Sequence, residues 1–151
     1  MRHLVLACVG LIAATASARA GEFKIEDVKG YLFLEKAGKL SDNVIGGPAL
    51  TDLPRGGGPD GDSASGVMLD FIFSGDKNSQ PKYAVASVDV TLTNKAGRPV
   101  VTHKAFANFV FGPDGLTHKA LFLENSTCLN VGIEVHAGKS TKDATIAFAC
   151  H

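Results

Sequence analysis

His103, His118, His136 and His151, the cysteines Cys128 and Cys150, and the acids of one glycine-rich stretch are the side chains of this chain that could do chemistry. The stretch from Ser41 to Gly66 holds seven Gly and three Pro in 26 residues. At its centre run Pro54, Arg55, Gly56, Gly57, Gly58, Pro59, Asp60, Gly61 and Asp62. Free N–H groups in such a loop can cradle phosphate, but a phosphate loop also needs a Lys-Ser/Thr pair opening a helix. Here Ser63-Ala64-Ser65-Gly66 follows and leads into a strand. Calcium needs six to eight oxygens, commonly from alternating acids. Asp52, Asp60 and Asp62 are too few and too spread to form a calcium loop. Gly61-Asp62-Ser63 is similar to the nucleophile segments of some serine hydrolases, with His103, His118 and His136 as partners in principle. A nucleophile must be held beside its base on a rigid frame, and this serine follows the most glycine-rich part of the chain.

The histidines do not converge by spacing. A metal site needs two or three imidazoles within about 2 Å of one ion. A hairpin centred on Pro113-Asp114 sets His103 against Glu124 and His118 against Phe109. The two rings then share a face but lie roughly 20 Å apart at strand rise. His136 and His151 meet only if the last strands overrun their apolar register, and that pair, or the loop acids, is the basis of the metal-carrier or enzyme alternative. No catalytic, cofactor-binding or metal-binding residue is therefore expected, and no cofactor.

Cysteine arithmetic follows from the N-terminus. Arg2, the apolar run Leu4 to Ala14 and the small-x-small triplet Ala18-Arg19-Ala20 have the order of a secretory signal peptide, residues 1–20, cleaved after Ala20. The run falls short of the roughly 20 apolar residues that span a bilayer. Cys8 leaves with the signal, so Cys128 and Cys150 remain as an expected disulfide in an exported chain. A loop of that length contributes about 3 kcal/mol in the chain-entropy picture. The whole chain carries 15 basic and 15 acidic residues. Cleavage removes Arg2 and Arg19 and no acid, which leaves a mildly acidic domain over residues 21–151. That balance argues against a nucleic-acid partner.

The elements that must position these residues are strands. Val67, Leu69, Phe71 and Phe73 alternate with Asp70 and Ser74, and Ala84, Ala86, Val88, Val90 and Leu92 alternate with Ser87, Asp89, Thr91 and Thr93. Period two with one polar face marks half-solvated antiparallel strands. Tyr31–Leu34, Val100–Phe111, Leu116–Glu124, Leu129–Val135 and a last strand with Ile146 and Phe148 inward complete about seven. The expected fold is all-β, an antiparallel β-sandwich of immunoglobulin-like architecture, with a small β-barrel as the alternative. Phe71, Phe73, Phe106, Phe109, Phe111 and Phe122 supply its core. Pairing Cys128 directly with Cys150 puts Phe148 opposite Asn130 and splits the apolar faces. Matching those faces shifts the last hairpin by one residue. Either a β-bulge intervenes or, as the preferred reading, Cys128 lies in the loop just before its strand.

Tyr31 to Val44, with Leu32-Phe33-Leu34 and Gly38-Lys39-Leu40-Ser41-Asp42-Asn43, resembles the start of a group of uncharacterised small exported proteobacterial proteins. In that group an "LFL…G-x-LS-x-N" segment leads through a Gly-rich loop, here Gly56–Gly61, to β-strands and a late Cys, here Cys128. The resemblance implies an exported β domain and assigns no functional residue. The expected function is that of a periplasmic or secreted non-enzymatic binding module for a protein or envelope component. Its contacts are sought in the 41–66 loop and at the tips Lys95–Arg98 and Pro113–Asp114. An inhibitor of a secreted hydrolase of protease or lysozyme type, presenting that loop, is the runner-up.

Overall fold

A computed structural model describes residues 23–51, 58, 61–126 and 128–149. Residues 1–22, which include the expected signal peptide, lie outside the described residues, as do Cys150 and His151. The strands are β1 (Lys24–Leu34), β2 (Lys39–Leu40), β3 (Ala64–Ser74), β4 (Ala86–Thr93), β5 (Pro99–Phe106), β6 (Leu116–Glu124), β7 (Asn130–Ala137) and β8 (Ser140–Ile146). They form two four-stranded antiparallel sheets, β2-β1-β3-β6 and β5-β4-β7-β8. The fold is the expected all-β sandwich rather than a closed barrel. Among the described residues no helix is long and apolar enough to cross a membrane.

The alternating patterns set the core. Val67, Leu69, Phe71 and Phe73 of β3 face Val88 and Val90 of β4 and Val131, Ile133 and Val135 of β7, all buried. In the last hairpin Val131 pairs with Ile146 and Ile133 with Ala144, the register that keeps apolar residues on one face. Cys128 sits in the turn before β7, in the left-handed region at φ 70°.

Three expectations need correction. Val100–Phe111 does not pair with Leu116–Glu124. β5 pairs with β4 and β6 with β3, in different sheets. The chain leaves the β ladder after Phe106, takes a left-handed residue at Asn108 (φ 54°), and crosses between sheets. Phe109 and Phe111 point into the core on the way. Burying these rings outweighs the local preference for a two-stranded hairpin. His103 consequently faces Asp89, not Glu124, and His118 faces Ile72, not Phe109. Second, not every Phe is core: Phe122 is 49% and Phe33 41% exposed, on the outer face of the first sheet. Third, the expected 41–66 loop ends earlier, because Ala64–Gly66 already belong to β3 and Ala64 pairs with Leu34 of β1.

The sandwich is closed on one flank. There Ile25 N–H donates to Ser140 Oγ at 2.9 Å, and Lys142 Nζ reaches Asp27 Oδ1 at 2.9 Å and the Glu26 carbonyl at 2.7 Å. At the end between β3 and β4, Gly115 adopts φ +79°, and a Cβ there would lie 2.9 Å from the Gly75 carbonyl oxygen. Gly115→Ala is expected to cost about 2 kcal/mol by urea unfolding, since backbone strain and a fixed carbonyl act together. Gly97→Ala is expected to cost only about 1 kcal/mol. That glycine also has positive φ (+71°) but nothing within 4 Å of the added carbon.

Candidate functional site

The sequence-selected loop divides into anchored ends and a centre outside the described residues. Asp52, Pro54, Arg55, Gly56, Gly57, Pro59 and Asp60 belong to that centre. Gly58 N–H donates to the Asp62 carbonyl at 3.0 Å, and Gly61 N–H to the Gly58 carbonyl at 3.1 Å. Asp62 is buried. Its Oδ1 accepts the N–H of Lys36 at 2.9 Å and of Ser63 at 2.7 Å, and its Oδ2 accepts the N–H of Ala37 at 2.9 Å. These bonds, the Lys36 N–H first among them, hold the carboxyl below its ordinary range although burial opposes them. Asp62 thus secures the β1–β2 turn, and both its oxygens are engaged. Ser63 Oγ donates to Glu35 Oε2 at 3.0 Å, and among the described residues no histidine partners it.

The motif carried by the resemblance has a similar structural use. Ser41 Oγ accepts the Leu32 N–H at 3.0 Å, and Asn43 Oδ1 accepts the Gly30 N–H at 2.9 Å. Ser41 N–H donates to the Leu32 carbonyl and Val44 N–H to the Gly30 carbonyl. Residues 41–44 therefore cover the free edge of β1 with a chain that partly substitutes side-chain oxygens for ladder carbonyls.

The histidines are spread over both outer faces. His103 Nδ1 lies 2.6 Å from Asp89 Oδ1, and His118 Nδ1 lies 3.0 Å from Asp70 Oδ1. His136 contacts Thr141 Oγ1 through Nδ1 at 3.1 Å and Glu134 Oε1 through Nε2 at 2.9 Å. Cross-strand pairing aligns His103, Asp89, Glu134 and Asp143 in one row across the second sheet, beside a shallow depression at Gly132. Among the described residues, no group of three or more His, Cys, Asp or Glu is arranged to hold a metal ion.

A different region has the form of a binding site. A pocket of about 430 Å³ opens at the end of the sandwich where β3 hands over to β4. Phe23 and Phe111 line its base, Pro81, Tyr83 and Ala84 its wall, and Asp76, Gln80 and Lys82 bring polar groups. The loop after β3 is stitched to the crossing segment by three backbone bonds, Gly75 to Gly115, Asn78 to Gly112 and Phe111 to Ser79, at 2.9–3.0 Å. Gly75 permits this approach, because a Cβ there would lie 2.7 Å from the Phe111 ring. Behind the pocket, Phe23 packs against Phe109 and Phe73, with ring centroids 4.6 and 5.6 Å apart. The Tyr83 side of the mouth is open, with that residue 92% exposed.

A scan against protein-family models finds no match for the chain, and a search of curated proteins finds none. The site is therefore read from its own geometry. Sequence reasoning missed it because its lining comes from Phe23 just before β1, the 75–84 loop and the crossing segment. The usable signal was local: Pro81 and Tyr83 lie in a turn-rich run between two clear strands. The two ends of the sandwich also separate the sequence-selected tips. Strand direction places Pro113–Asp114 at the pocket end, and Lys95–Arg98, Asp62 and Cys128 at the opposite end.

Proposed function

We propose that this chain is a non-enzymatic β-sandwich binding module of the cell envelope, taking an apolar group of a protein or envelope component into the Phe23–Phe111 pocket. The observation that carries this reading is an open, aromatic-based cavity of about 430 Å³ beside backbone-bonded segments, within the size range of ligand pockets. Export rests on the order of basic start, apolar run and Ala18-Arg19-Ala20 in residues 1–20, with residues 21–151 as the exported domain. A Cys128–Cys150 bridge belongs to the same proposal. It would tie the turn before β7 to the segment after β8, at the end opposite the pocket.

The uncharged fluorophore N-phenyl-1-naphthylamine tests the pocket. Ala84→Trp, which fills the cavity, is expected to weaken its binding about tenfold, whereas Thr93→Trp at the other end leaves binding unchanged. Equal binding by both variants would remove the pocket from the proposal.

A further inference from the structure

We propose that the free edge of β5 is a docking edge for an extended peptide strand of alternating apolar and acidic residues, added beside β5 as a further strand of the second sheet. Strand edges present unpaired N–H and C=O groups, and proteins ordinarily cover or blunt them. Two of the edges here are accounted for. Ser41 and Asn43 cover β1 beyond the two-residue β2, and β8 is bonded across the closed flank to β1. Neither β5 nor β6 has such cover among the described residues, and of the two only β5 is free of acidic residues. Its ladder to β4 runs from Ala86–Phe106 to Thr93–Pro99 without a bulge, and seven of its eight residues are exposed. Val100 and Val101 are 62% and 60% exposed on opposite faces, so apolar side chains are offered on both sides of the edge.

Charge selects the occupant. From Val90 to Pro113 the chain contains no acid, yet it carries Lys95, Arg98, His103 and Lys104. In a chain with equal numbers of acids and bases, this is a local basic strip lying along one edge. The Asp89 carboxylate is drawn to His103, which leaves Arg98 and Lys104 to meet an incoming strand. A second copy of the chain pairing through β5 would bring the same cations against one another, which disfavours it. An added strand with glutamates opposite Arg98 and Lys104 satisfies the edge backbone and the charge together, with main-chain bonds giving affinity and side chains giving preference. This edge is distinct from the apolar pocket, and neither proposal depends on the other.

The probes are two end-blocked octapeptides, one alternating Val and Glu, the other alternating Val and Lys. They are titrated into the protein while amide hydrogen exchange is followed residue by residue. The Glu peptide is expected to slow exchange about tenfold at amides of Val100–Ala105 that face away from β4. Its affinity is expected to fall about fivefold between about 50 and about 500 mM salt, and the Lys peptide to give no protection. The double variant Arg98→Glu with Lys104→Glu is expected to reverse the preference, while unchanged exchange in β4 and β7 shows that it is folded. Protection by both peptides alike, protection on β6 in place of β5, or concentration-dependent protection of β5 without peptide would each overturn the assignment. The last outcome would make a second copy the occupant.

Discussion

Replacing Phe109 by alanine is expected to lower the free energy of unfolding by about 3–5 kcal/mol, the largest loss foreseen for any single side chain here. Its ring is fully buried, with centroids 4.6 Å from Phe23, 5.0 Å from Phe73 and 6.3 Å from Phe111. Lys119 Nζ stands 5.1 Å from the centroid and also donates to the Asn108 carbonyl at 3.3 Å. Truncation would remove the wedge that fixes the crossing segment and leave a void between rigid strands. A domain of this size commonly has only about 5–15 kcal/mol of stability, so the variant would lie near the edge of folding. Phe109→Leu, which keeps most of the volume, is expected to recover more than half of the loss. Urea unfolding monitored by circular dichroism measures both. A loss under about 1 kcal/mol for the alanine variant would show that the ring is not docked as described.

Asp62→Asn is expected to destabilise the protein at neutral pH and to lose most of that effect in acid. The amide keeps the shape but removes the charge, and it sets a donor against one of the three backbone N–H groups. The sign follows from the carboxyl being held below 3.8 in the folded protein. Stability contributed by the ionised group is then fully present above 3.8 and drains away as pH falls through the lower folded value. The gap between wild type and Asp62→Asn should therefore be widest above pH 5 and close steadily below pH 4. Glu26, Asp27 and Glu35 are also held low: Glu26 chiefly by Lys24, Asp27 by Lys142 and Glu35 by the hydroxyl of Ser65. The difference between wild type and Asp62→Asn isolates Asp62 from these other carboxylates and is the quantity to measure. Faster amide exchange at Lys36 and Ala37 in the variant would locate the effect at the β1–β2 turn. A gap that stays constant from pH 7 to pH 2 would reject the mechanism.

Several features were legible because a strand writes its burial into neighbouring residues. β3 and β4 each show apolar and polar side chains in alternation, and that pattern alone oriented both strands correctly. The one-residue shift of the last hairpin was legible for the same reason: only that register puts Val131 and Ile133 on the face of Ile146 and Ala144. The Gly112–Gly115 turn was also visible, but not what it joins. Turn chemistry specifies a reversal of about four residues and carries no information on which sheet receives the next strand. Phe109 and Phe111 decided that by entering the core, and the partner assignments of His103 and His118 changed with it.

The candidate site shows the same division. Amino-acid order alone determined an all-β chain, the inward faces of its central strands, the turn positions, and a cysteine placed ahead of a strand rather than within it. These follow from steric and solvation preferences acting over a few residues. Tertiary structure decided that Asp62 secures a turn, that Ser41 and Asn43 cover an edge, and that the pocket forms from three distant segments. It also placed the basic strand β5 at the margin of the second sheet, without cover among the described residues. Each of those outcomes depends on which strands become neighbours, a choice made by the total apolar area buried across the molecule.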